Sequence, residues 1–148
     1  MYKRQTYAVV GDRVIAKSSI GYAQAGGLMG SLYLGSSVDS SYAVVKDGVS
    51  SWGRSGRLYA GGLLGDGASS TLLRSYYAAQ RRTDRGQNGL FTNSYGFARS
   101  LSQLECPTAA GELCQGANSY VGWDTALWNF GDNRTLPCLL YTSPSPRD

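Results

Sequence analysis

Ala25-Gly26-Gly27-Leu28-Met29-Gly30 recurs as Ala60-Gly61-Gly62-Leu63-Leu64-Gly65, and the spacing of the two copies decides the fold. When the chain is slid against itself without gaps, Thr6–Ser40 matches Ser41–Ser75 at 13 of 35 positions. Outward from the glycine-leucine block, Tyr7-Ala8-Val9-Val10 falls on Tyr42-Ala43-Val44-Val45, Asp12 on Asp47, Val14 on Val49, Gly21 on Gly56 and Ser40 on Ser75. A fixed period of this kind marks a repeat architecture, in which each copy is one unit that cannot bury its apolar face alone. A shortened third copy places Tyr77-Ala78-Ala79 at the expected offset, with Asn88-Gly89-Leu90-Phe91 where the glycine-leucine block should return. Ser94-Tyr95-Gly96 begins a fourth copy and then leaves the pattern.

The matched blocks read as strands and turns. Tyr-Ala-Val-Val is β-branched and aromatic, Gly-Gly-Leu is bounded by turn formers, and no apolar stripe of helical period runs through either. A strand of four or five residues buries too little side-chain area to offset the ordering of its backbone, so the copies must stack. The expectation is an all-β repeat array whose core positions are Tyr7, Leu28, Tyr42, Leu63, Tyr77 and Leu90, with Leu28 near Leu63 and Tyr7 near Tyr42. Glycine serves such an array at corners that need positive φ and where backbones approach closely.

From residue 100 to 137 the repeat stops and aromatic residues gather as Tyr120, Trp123, Trp128 and Phe130. A stack that ended abruptly would expose an apolar face and an unpaired strand edge, so this segment is expected to be a short irregular C-terminal cap. Cys106 and Cys114 enclose a short Pro- and Gly-containing loop. A disulfide across it would stabilise by up to about 3 kcal/mol and would imply an oxidising, extracytoplasmic location; two free buried thiols are the alternative.

Gly-Gly-Leu-x-Gly followed by Ser-Tyr-Ala resembles the GLUG repeat of bacterial secreted and surface proteins. The closing segment, with Ser102-Gln103-Leu104, Gly122-Trp123-Asp124, Trp128-Asn129-Phe130-Gly131 and Leu136-Pro137, is similar to the one that ends many such arrays. The resemblance covers nearly all of residues 6–137. It implies a β-solenoid, β-helix-like array within large exported proteins, such as filamentous-haemagglutinin-like adhesins and the non-catalytic repeat regions of some immunoglobulin A metallopeptidases. The third copy departs by lacking the second glycine after Leu90.

Both ends differ from the rest. Tyr2–Gln5 can be encoded TAT AAG AGA CAG, whose reverse complement overlaps a legal coding of the start of Cys138–Asp148, so the two ends resemble inverted copies of one translated sequencing adapter. Residues 1–5 and 138–148 are therefore expected to be non-native and to lie outside the fold, with the remainder of a larger chain upstream. The expected organisation is repeats over 6–99 (6–40, 41–75 and a degenerate 76–99) and a cap over 100–137. Setting aside Lys3, Arg4, Arg147 and Asp148 lowers the net charge from +4 to +2.

The chain has no histidine, which excludes His-dependent triads and His-ligated zinc, and two cysteines inside the repeat and cap cannot close a tetrahedral zinc site. Asp12 and Asp47 recur at one repeat position, which favours a turn over a unique catalytic carboxylate. No phosphate-binding glycine motif stands between a strand and a helix. No catalytic residue, metal or cofactor is assigned. The run Arg81-Arg82-Thr83-Asp84-Arg85 is basic, but the low net charge argues against nucleic acid as a partner. Trp52, expected in the loop before the second glycine-leucine block, with Arg81, Arg82 and Arg85, supplies the candidate binding residues for a surface ligand, a glycan or a host protein. No apolar run is long enough for a membrane-spanning helix.

These features point to a non-catalytic repeat module from the C-terminal end of a bacterial secreted or cell-surface protein, a stalk or an adhesive surface. The alternative is the accessory repeat region of a secreted peptidase or glycan-active enzyme whose catalytic domain lies upstream.

Overall fold

The computed structural model describes residues 5–33, 35–54, 56–67, 70–81, 90–91, 95–105, 118–131 and 134–140. The chain is mostly β, and it divides into two compact units, Met1–Arg99 and Ser100–Asp148. Among the described residues no helix is long and apolar enough to cross a membrane.

The first unit runs β1 (Tyr7–Val10), β2 (Val14–Ser18), β3 (Ala23–Gly26), β4 (Met29–Ser31), β5 (Ser37–Asp39), β6 (Tyr42–Gly53), β7 (Leu58–Gly61), β8 (Leu64–Asp66), β9 (Thr71–Leu73), β10 (Tyr76–Arg81), β11 (Leu90–Phe91) and β12 (Phe97–Ala98). Every pairing among them is parallel. The partners in the first half are the residues that the repeat aligns: Tyr7 lies opposite Tyr42, Val14 opposite Val49, Ala25 opposite Ala60 and Met29 opposite Leu64. Both β1 and β2 lie on the long β6, which crosses the Gly11–Arg13 interruption of the first copy with Gly48 at φ 90 and the Asp47 amide donating to the Asp12 carbonyl at 3.2 Å.

Side chains alternate across this sheet as a pleat requires. Ala43, Val45 and Val49 point inward, where Val45 and Val49 meet Ala25 and Ala60 in one core cluster and Ala43 meets Leu63, Leu64 and Tyr77 in another. The intervening residues, Tyr42 and Val44, form the other face.

The third copy is out of step by one residue. The connection from β4 to β5, Leu32–Ser36, has one residue more than its counterpart Gly67–Ser70, so β5 lies on β9 with Ser37 opposite Thr71 rather than Leu72. The shift persists into β10, where Tyr76 stands opposite Tyr42 and Tyr77 opposite Ala43. Tyr77 is thus not the counterpart of Tyr42 that the sequence period suggests. A slip of one residue moves a side chain to the opposite face, so the Tyr77 ring enters the core while Tyr76 joins Tyr7 and Tyr42 on the other face. Leu90 also departs from its expected place, standing opposite Tyr59 in β7 instead of repeating Leu63, because the third copy is shorter.

The glycines of the two blocks serve close approach. A Cβ at Gly27 would collide with the Gly62 carbonyl, and one at Gly62 with the Tyr77 ring. Positive φ is used instead at the corner pair Gly21 (φ 91) and Gly56 (φ 99).

In the second unit a short helix, α1 (Leu101–Leu104), opens with a capping box. The Ser100 side chain accepts from the Gln103 amide at 3.2 Å, and the Gln103 side chain accepts from the Ser100 amide at 2.9 Å. Tyr120 donates through its hydroxyl to the Leu104 carbonyl and packs edge-on against Trp123 at 5.0 Å, which in turn meets Trp128 at 4.7 Å. Phe130 completes the cluster at 5.4 Å from Tyr120. The hairpin of β13 (Trp128–Asn129) and β14 (Cys138–Leu139) is antiparallel, with Trp128 opposite Leu139. Cys138 and Leu139 were expected outside the fold; instead both pair with β13 and Leu139 is buried, because an apolar side chain opposite Trp128 leaves water more cheaply than it remains exposed.

Candidate functional site

The face of the large sheet opposite the two core clusters carries an aromatic column. Tyr7, Tyr42, Tyr76 and Phe97 occupy mutually paired positions along β1, β6, β10 and β12. Tyr7 stacks on Tyr42 with ring centroids 5.5 Å apart and planes 14° from parallel, and Tyr76 tilts against Phe97 at 6.1 Å. Tyr42 is fully buried between its neighbours, whereas Phe97 is 58% exposed. The Arg99 guanidinium sits over the Tyr76 ring, 4.9 Å from its centroid, a cation–π contact. Burial pushes the Tyr76 hydroxyl pKa up, and the charges of Arg99 and Arg74 partly offset that rise.

The chain reaches this face through two matching corners. Ser40 (φ 50) and Arg74 (φ 45) adopt the left-handed conformation, and the serine after each, Ser41 or Ser75, donates its hydroxyl to the carbonyl two residues back, at 3.0 and 2.8 Å. The Ser41 hydroxyl also accepts from the Thr6 amide of the preceding copy at 3.1 Å, so one side chain both shapes its own turn and ties two copies together. Arg74 reaches back one copy to the buried Asp39 in a two-pronged pair, Nε to Oδ1 at 2.9 Å and Nη2 to Oδ2 at 2.5 Å. The hydrogen bond to Asp39 raises the Arg74 pKa further above its ordinary value, burial acting against it. The Ser40 hydroxyl donates to Asp39 Oδ1 at 3.1 Å, so the carboxylate is satisfied from two elements.

The sequence-level candidates are scattered. Trp52 lies in strand β6 rather than in a loop, because the second copy keeps extended backbone through Gly53; it is 39% exposed and pairs across the strand with Lys17. Arg81 ends β10, opposite Val49. Arg82 and Arg85, like Cys106 and Cys114, lie outside the described residues. Among the core candidates, Leu28 donates its amide to the Leu63 carbonyl at 2.9 Å; Leu63 is fully buried while Leu28 is half-buried against the same cluster. Asp12 and Asp47 are both exposed and adjacent in the stack.

The aromatic column and the corners at Ser40 and Arg74 were not legible in the sequence. A signal was present, since Tyr7-Ala8 and Tyr42-Ala43 are followed by Phe97-Ala98 at the pairing position, but Tyr76-Tyr77 offers two tyrosines and the period selects the wrong one. Chemically, the column is a stack of largely buried rings with Phe97 exposed at its end and guanidinium groups beside it, which stack and hold charge but supply no nucleophile activated by a base. No family model, curated protein or solved structure matches the chain.

Proposed function

We propose that the chain is a non-catalytic, extracytoplasmic repeat module, a β-solenoid whose successive turns build a stalk or adhesive surface of a bacterial secreted or cell-surface protein. One observation carries this reading: parallel pairing joins the first copy to the second in four separate sheets, with their aligned residues opposite one another in three of them, and joins the second to the third in two. Repetition of that kind makes an extendable surface on which equivalent side chains line up in columns, the property a stalk or adhesin needs. The likeness to GLUG repeats supports the same reading. A disulfide between Cys106 and Cys114 belongs to it, and mass spectrometry of non-reduced peptides from periplasmically exported chain tests that bond; two freely alkylated thiols would remove it.

The functional test uses beads carrying the whole chain, exposed to immobilised glycans and to extracellular matrix proteins, beside incubations with peptide and polysaccharide substrates. Adhesion without turnover is the expected result. Cleavage of any peptide or glycan by the chain itself would overturn the assignment.

A further inference from the structure

Stacking also collects charge. From Arg13 to Val38 the first copy contains no acidic residue, and from Gly48 to Gly65 neither does the second, so the corner that leads from the large sheet into β3 and β7 gathers Lys17 near the end of β2 with Arg54 and Arg57 of the second copy. Lys17, Arg54 and Arg57 are all exposed there, and none forms an ion pair among the described residues. The two corner segments lie in direct contact, because a Cβ at Gly56 would collide with the Gly21 carbonyl and the Ala23 amide donates to the Arg57 carbonyl at 3.1 Å. Exposed aromatic residues flank the cations: Trp52 lies opposite Lys17 on the pleat at 39% exposure, and Tyr22, which precedes β3 at this corner, is 67% exposed. Of the four acidic side chains in these copies, Asp12 and Asp47 stand at the interruption before β2, Asp39 is buried against Arg74, and the carboxylate of Asp66 is taken up by Gln24 in β3 at 3.0 Å.

We propose that this corner, Lys17, Tyr22, Trp52, Arg54 and Arg57, is a docking edge for an acidic polysaccharide, one bearing uronic acid or sulfate groups. The proposal rests on the surface-module reading and names its ligand class. Copies in a stack are about 4.8 Å apart, close to the length of one sugar residue in an extended glycan, so cations on adjacent copies face anionic groups on adjacent sugars. Aromatic faces such as Trp52 suit the apolar faces of pyranose rings, with the guanidinium groups taking carboxylate or sulfate oxygens in pairs. Duplex nucleic acid fits less well: it carries one charge per roughly 1.7 Å of axis, and its affinity comes from neutralising many phosphates, whereas this edge offers three cations.

The whole chain is titrated by calorimetry with a heparin-type sulfated oligosaccharide, polygalacturonate, uncharged dextran and a single-stranded oligonucleotide. The expected result is binding to one or both acidic glycans and not to dextran, weakened at least tenfold by Lys17→Ala/Arg54→Ala/Arg57→Ala and by Trp52→Ala, and unchanged by Lys46→Ala, an exposed cation of β6 at the interruption beside Asp47. If the alanine variants melt early, Lys17→Gln/Arg54→Gln/Arg57→Gln replaces them with the same expectation. Failure to bind either acidic glycan, equal loss in Lys46→Ala, or tighter binding of the oligonucleotide would overturn the docking edge. Shortening of the glycan during titration would instead defeat the non-catalytic reading and leave the edge standing, provided the variants still lose binding.

Discussion

The ring of Tyr77 occupies the space that a Cβ at Gly62 would need. Glycine is therefore required at this position by packing, not by backbone angle. Gly62→Ala should cost about 1–3 kcal/mol, the range for overpacking a filled core, while Gly11→Ala, where nothing lies within 4 Å, should cost far less. Urea melts of both variants check this. In a Tyr77→Leu background the cost of Gly62→Ala should shrink, because the clashing ring is gone.

Leu28 and Leu63 are joined through backbone but differ in burial. Leu63→Ala empties a fully enclosed site among Ala43, Leu64 and Tyr77 and should cost about 2–5 kcal/mol. Leu28→Ala should cost less, since its half-buried site is already partly open to water. Thermal melts followed by circular dichroism measure both, and equal losses would show that the first copy is covered as fully as the second.

Asp39 is held by Arg74 from the next copy, and its side chain is 4% exposed against 41% for the arginine. Arg74→Ala takes both guanidinium bonds away from a buried carboxylate, at a cost of about 1–3 kcal/mol at neutral pH. Arg74→Ala/Asp39→Asn should recover part of that loss, because the buried charge that has lost its arginine is removed. A double-mutant cycle in urea reads the coupling, and additive losses would mean that the pair contributes nothing between copies.

The period and composition of the blocks carried the fold class and the pairing of the first two copies, since Tyr-Ala-Val-Val and Gly-Gly-Leu repeat in register and the paired residues are the matched ones. They did not carry the third copy. One residue fewer in the connection before β9 shifts everything after it, and two adjacent tyrosines conceal the shift because either fits the pattern. The gathering of Tyr120, Trp123, Trp128 and Phe130 was legible as a local aromatic concentration. The Asp39–Arg74 pair was not, because it depends on which residues a corner brings together, and the Ser40 and Arg74 corners use left-handed backbone without glycine to announce it.

Burial raises the pKa of both Tyr76 and Tyr77, the charges of Arg99 and Arg74 offsetting part of the rise at Tyr76. The folded chain thus holds these phenolic protons more tightly than the unfolded chain, whose tyrosines titrate near pH 10. Their contribution is fully present below about pH 10 and is lost as pH rises through the higher folded values. Stability measured by urea melts should fall above that pH, and Tyr77→Phe should make the decline shallower. An unchanged slope in the variant would mean that Tyr77 does not titrate with unfolding.

Parallel stacking in the stated register is tested most directly by nuclear Overhauser effects in an isotope-labelled sample of the whole chain. Amide-to-Hα contacts should connect Tyr7–Val10 with Tyr42–Val45, Ala23–Gly26 with Leu58–Gly61, and Tyr42 with Tyr76 rather than Tyr77. Close Hα–Hα contacts between strands adjacent in sequence, β1 with β2 or β3 with β4, would mark antiparallel hairpins and contradict the stack.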